Sequence, residues 1–207
     1  MANQIIKARN LQSRIDLATL LGIHGSVTYP GRLYHALEYA LNHAGEQDNS
    51  LTTDLMHLGD FKMSFADGRE LADYQDDTEH VVARILSADM FLIATPVFRA
   101  TFTGALKNLF DLVPVEGFLG KACGLIAMGA TDHHYLSVDT QLRPVLAWFG
   151  AQTIPGLVYL KSSHFSDGKL SEPTAMTQLE SLASSVNGMN NLLTGDEIVQ
   201  GPKPLAS

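Results

Sequence analysis

The sequence predicts an α/β fold: an open, five-stranded parallel sheet with helices on both faces. Three observations carry that reading. Short apolar runs, bounded by glycine, proline and polar loops, alternate five times with segments of helical spacing along the 207 residues. The runs over 17–23 and 122–128 are close to continuously apolar rather than alternating, as strands buried on both faces are. No segment recurs at a fixed period, which sets aside solenoids and propellers. A hydrophobic content of 45% with 17% charged residues is enough for one core of this size.

The first strand is read in Leu17-Ala-Thr-Leu-Leu-Gly-Ile23, and helical spacing begins at Arg32 after the loop Gly25-Ser-Val-Thr-Tyr-Pro-Gly31. Ala44-Gly-Glu-Gln-Asp-Asn-Ser50 closes that helix, and a second strand fits Leu51 to Leu58. Phe61 to Tyr74 is polar and irregular. Val81, Val82, Ile85 and Leu86 then share one face of a helix over Asp77 to Ser87. Met90 to Ala94 is the third strand, Gly104 to Leu112 a helix, and Ala122 to Met128 the fourth strand, between Gly120 and Gly129. Helical spacing resumes over Tyr135 to Phe149, the fifth strand fits Thr153 to Leu160, and a closing helix over Pro173 to Val186 starts at the cap candidate Ser171. The organisation is an N-terminal extension over 1–16, one domain over 17–190, and a flexible tail over 191–207, where Gly, Pro and polar residues replace the apolar rhythm.

A net charge of −8 opposes binding to nucleic acid or to an anionic membrane surface. The first residues lack the roughly 7–15-residue apolar core of a signal peptide, and no run approaches the about 20 apolar residues of a membrane span, so a cytoplasmic location is expected. The single cysteine, Cys123, lies in a strand-like run and reads as a buried structural thiol. His133 and His134 are adjacent, and no spaced Cys, His or Asp set joins them, so no metal site is expected. Met128, Trp148 and Phe149 read as ordinary core.

Right-handed crossovers place the ligand crevice of such a sheet at the carboxyl ends of its strands. Three loops there are unusual. The first offers Ser26, Thr28 and Arg32 beside the N–H groups of a helix start, a combination suited to a phosphate. The second is Ala94-Thr-Pro-Val-Phe-Arg-Ala-Thr-Phe-Thr-Gly-Ala-Leu-Lys-Asn-Leu-Phe-Asp111. The third is Met128-Gly-Ala-Thr-Asp-His133, followed by Val138-Asp139 and Leu142-Arg-Pro-Val-Leu146.

Taken together, these motifs resemble the NAD(P)H-dependent FMN reductases, especially those that supply reduced flavin to sulfonate monooxygenases, over roughly residues 17–159. The resemblance implies a flavodoxin-like sheet of order 2-1-3-4-5, with FMN as cofactor and NADPH or NADH as hydride donor. It implies that Pro96, Val97, Phe98 and Arg99 border the flavin ring and that Gly129, Ala130 and Thr131 form the small-residue loop beside it. It further implies a homodimer or dimer of dimers, and a flavin-dependent monooxygenase as partner. Hydride transfer between stacked rings needs positioning and N–H dipoles rather than a side-chain acid or nucleophile, so no catalytic side chain is expected. FMN is expected in preference to FAD, because the phosphate loop is short and no second nucleotide fingerprint follows. The first loop departs from the family pattern: Thr28 stands at its arginine position and Gly31 at its later serine, leaving Arg32 as the nearest cation. An FMN-retaining quinone or azo-compound reductase would use the same loops, and a non-enzymatic flavodoxin-like electron carrier shares the fold.

Overall fold

The computed structural model describes residues 17–28 and 30–194. The expected N-terminal extension over 1–16 and the tail from residue 195 onward lie outside the described residues. Strands β1 (Ala18–His24), β2 (Leu51–His57), β3 (Met90–Pro96) and β4 (Ala122–Met128) pair in parallel in the order β2-β1-β3-β4. The fifth position is filled by two short pieces, β5 (Gln152–Thr153) and β6 (Val158–Leu160), both parallel to β4. This is the 2-1-3-4-5 sheet of the flavodoxin-like fold.

The expected single strand over Thr153 to Leu160 is thus interrupted. Pro155 has no N–H to donate and Gly156 adopts a φ of 76°, so the ladder cannot continue through them. Arg143 fills the gap, donating to Thr153 Oγ1 at 2.6 Å and to the carbonyls of Ile154 and Gly156 at 3.0 Å each.

Helices cover both faces because the strand residues alternate between two cores. Leu21, Ile23, Phe91, Ile93 and Leu125 pack against α2 (Thr78–Ser87), α3 (Gly104–Leu112) and α4 (Tyr135–Trp148). Leu20, Met90, Leu92 and Ile126 pack against α1 (Arg32–Gln47) and α5 (Pro173–Leu193). Cys123 is fully buried in the first core, and burial pushes its thiol pKa well above the ordinary value, as befits a structural thiol.

Three expectations are corrected. The cap of α5 is Glu172, whose carboxylate accepts from Ala175 N at 2.6 Å, not Ser171. That helix also continues past the expected Val186, through Asn187–Asn191 to Leu193. Asn190 is buried, Met189 and Leu193 pack on the second core, and Asn187 donates to Asp48 Oδ2 at 2.9 Å. Of the residues read as core, Phe149 is buried and Met128 packs on the second core, but Trp148 is 59% exposed. A small antiparallel hairpin, β7 (Phe165–Ser166) and β8 (Lys169–Leu170), turns through Asp167 and Gly168 and packs near α1. Two-residue strands leave no periodicity to read, although Asp-Gly is a favoured hairpin turn.

Candidate active site

The backbone ties three loops into one edge at the carboxyl ends of β1, β3 and β4. Gly25 N donates to Ala94 O at 2.7 Å, and the Thr103 hydroxyl donates to Gly25 O at 2.5 Å, joining the first loop to the second. Thr103 also caps α3 by accepting from Leu106 N at 3.1 Å. Val97 N donates to Met128 O at 2.8 Å, joining the second loop to the third.

The second loop folds on itself. Phe98 and Thr101 exchange both backbone hydrogen bonds, at 2.9 and 3.1 Å, around Arg99 and Ala100. Those two residues have φ of 52° and 64°, a left-handed pair in which neither is glycine. Strain of this kind persists only where surroundings over-determine it, and Gln141 of α4 helps by donating to Ala100 O at 3.1 Å. The hairpin leaves Phe98 51% exposed, standing above the strand ends rather than in the core.

The third loop is fixed from β6. Tyr159 donates its hydroxyl to Thr131 O at 2.6 Å, and Gly129 N donates to Leu160 O at 3.1 Å. Just beyond, Lys161 pairs with Asp132 at 2.8 Å and holds that carboxyl below its ordinary pKa. Gly129 has to be glycine, since a Cβ there would overlap the Tyr159 hydroxyl and lie 2.9 Å from its Cζ. The N–H groups of Ala130 and Thr131 meet no acceptor among the described residues.

In the first loop, Ser26 is buried and its hydroxyl lies 2.8 Å from that of Thr28, whose N–H also donates to it at 3.2 Å. The start of α1 has neither a side-chain cap nor an acidic residue in its first turn, which fits an anion. The structure therefore brings together Ser26, Thr28, Pro96, Val97, Phe98, Gly129, Ala130 and Thr131 at one edge. Arg99 sits exposed at the tip of its hairpin. Arg32 is exposed and lines a neighbouring groove between α1 and the β7–β8 hairpin.

Residues 18–165 match the family described as NADPH-dependent FMN reductase. The chain belongs to the NADPH-dependent FMN reductase family. An NAD(P)H-dependent FAD/FMN reductase of Geobacillus thermodenitrificans is 35% identical, covering 83% of this chain and 92% of the relative. The NADH-dependent FMN reductase SfnF of Pseudomonas putida is 28% identical, covering 80% and 89%. The apo structure of an NADH:FMN oxidoreductase (EMOB) superposes with a TM-score of 0.71 at 26% identity, covering 87% of this chain and 91% of that one. This FMN reductase is an oxidoreductase that uses FMN and a reduced nicotinamide, and the electron-carrier reading is set aside.

Sequence reasoning missed the buried pair beneath the reductase's first loop. His24 and His57 end neighbouring strands in register, both are buried, and their Nδ1 atoms lie 2.7 Å apart. One facing nitrogen must carry a proton and the other accept it. The Tyr34 ring meets both imidazoles edge-on. Burial, and then the field of His57, lower the pKa of His24 to about 4, against a smaller opposing pull from Asp60.

Between the ordinary value of 6.5 and about 4, the unfolded chain takes up a proton on His24 that the folded chain does not. Stability is full above the upper value and falls with pH through this window, by on the order of 2 kcal/mol after allowing for solvent screening. Urea unfolding at about pH 7 and about pH 4.5 measures the loss, which is expected to shrink in His24→Asn. An equal loss in that variant would assign the acid sensitivity to other groups.

Proposed function

We propose that FMN is held with its phosphate at Ser26, Thr28 and Arg32 and its ring between Pro96–Arg99 and Gly129–Thr131, where NADPH or NADH reduces it. Bound FMN supplies a ring that accepts a hydride from the nicotinamide. The observation that carries the reading is the apportioning of backbone donors at the sheet edge. Gly25, Val97, Phe98 and Gly129 spend theirs on joining and shaping the loops, whereas Ala130 and Thr131 find no acceptor for theirs among the described residues. Free N–H dipoles on a pinned loop suit the negative charge that grows on the flavin's carbonyl edge. Phe98 walls the ring and excludes water, and its partial exposure agrees with that role.

Arg32 supplies the charge-assisted phosphate contact that Thr28, at the family's arginine position, cannot. Arg32→Ala removes an interaction made equally in ground and transition states, so the KM for FMN is expected to rise about tenfold with kcat at saturation little changed. Steady-state oxidation of NADPH against FMN concentration measures both. An unchanged KM would leave the phosphate to Ser26, Thr28 and backbone N–H groups alone.

We further infer a homodimer, or a dimer of dimers, that releases reduced flavin to a monooxygenase. Phe110, Val113, Pro144, Val145 and the exposed Trp148 line a largely apolar groove of about 490 Å³ between α3 and α4. On the same α4, Tyr135 and Leu136 are also exposed. An exposed apolar surface of this kind favours burial against a second copy. The sparse charge in the first loop favours release. Size-exclusion chromatography with light scattering reads both points: a mass of at least twice 22.5 kDa with flavin lost from the protein peak is expected. A monomer, or a peak that keeps its flavin, would contradict the corresponding half.

A further inference from the structure

We propose that the groove between α1 and the β7–β8 hairpin is a nucleoside-phosphate site that takes the adenylate half of FAD. The inference rests on the phosphate loop assigned above, because Gly31 and Arg32, where that loop ends, also line the groove. A pyrophosphate can therefore cross from loop to groove while the flavin ring keeps its place.

One wall is a helical stripe. Arg32, His35, Tyr39 and Asn42 follow one another at spacings of three, four and three residues, which puts them on one face of α1 over about 15 Å at 1.5 Å per residue. The other wall is the hairpin, with Asp167, Gly168, Lys169 and Leu170. Asp167 and Gly168 have φ of 49° and 77°, the paired left-handed geometry of a tight hairpin turn. The space between the walls is about 790 Å³, within the range of about 300–1,000 Å³ in which small-molecule sites fall.

Charge then selects the ligand. Arg69, Arg84, Lys107, Arg143 and Lys161 each pair with a carboxylate, but Arg32 and Lys169 have no hydrogen bond or ion pair to any described residue. In a chain of net charge −8, two unspent cations on opposite walls of one groove suit a phosphate. The groove also holds two acids, Glu38, which lies 3.5 Å from His35, and Asp167. They disfavour a bare polyanion but accept from ribose hydroxyls, while the Asn42 amide offers both donor and acceptor to a purine edge. A nucleoside monophosphate unit has that mixture of charge and hydrogen-bonding groups. Its source is FAD or the reduced dinucleotide, and continuity with the flavin phosphate loop favours FAD.

Fluorescence titration of FMN and FAD into the flavin-free protein, wild type and Lys169→Glu, tests this, together with the KM for NADPH. Lys169 is exposed and outside the flavin loops, so the variant is expected to fold and to bind FMN as the wild type does. Against the preference for FMN that the short phosphate loop alone predicts, the groove is expected to let FAD bind the wild type at least as tightly as FMN, and Lys169→Glu to weaken FAD alone by about tenfold. FMN binding with FAD affinity indifferent to Lys169→Glu would overturn the groove and leave the flavin loops standing. A rise confined to the KM for NADPH would move the adenylate to the nicotinamide and overturn the FAD assignment. Failure of FMN itself to bind would overturn both readings.

Discussion

Gly129→Ala is expected to weaken FMN binding by about thirtyfold or more. The new Cβ would overlap the Tyr159 hydroxyl, and Tyr159 cannot withdraw without giving up its 2.6 Å bond to Thr131 O. Overpacking costs about 1–3 kcal/mol and the lost hydrogen bond about 1 kcal/mol more, and both fall on the loop whose free N–H groups are assigned to the ring. About 2 kcal/mol of that appearing in binding accounts for the thirtyfold. Tyr159→Phe in the Gly129→Ala background removes the overlapping oxygen and is expected to restore part of the affinity, whereas Tyr159→Phe alone weakens it only slightly. Flavin titration of the three variants measures the coupling; additive losses would show that Gly129 and Tyr159 act separately.

Phe98→Ala is expected to lower kcat about a hundredfold while the KM for FMN changes far less, the reverse of the pattern expected for Arg32→Ala. Removing the wall admits water and lets the ring move, and a misplacement of about 1 Å at the transferring atoms costs about that factor. The effect is local, because Phe98 is half exposed and its backbone pairing with Thr101 does not need the aromatic side chain. Single-turnover reduction of bound flavin by NADPH isolates the step. Equal losses in kcat and flavin affinity would make Phe98 a binding residue instead.

The elements that could be read to the residue are those whose boundaries are written locally. Ala122–Met128 lies between two glycines, and Gly104–Leu112 follows a threonine cap. Where boundaries depend on distant partners, the reading failed. The end of α5 looks polar until Asp48 is found receiving Asn187, 139 residues away in sequence. The fifth strand breaks where Arg143 supplies an alternative set of hydrogen bonds. The site divides in the same way. Its three loops were legible because each carries several small or polar residues immediately after a strand. The His24–His57 pair, the Tyr159 prop and the groove beside Arg32 each join residues from separate elements, and no local pattern announces them.

The most direct test of the account is steady-state oxidation of NADPH and NADH by the wild-type protein as FMN is varied. The three converging loops predict that oxidation of at least one nicotinamide saturates with FMN, and that the saturating rate, not the half-saturating concentration, collapses in Phe98→Ala. Oxidation that is independent of added FMN in protein free of flavin, or that is untouched by Phe98→Ala, would contradict the placement of the flavin ring between the second and third loops.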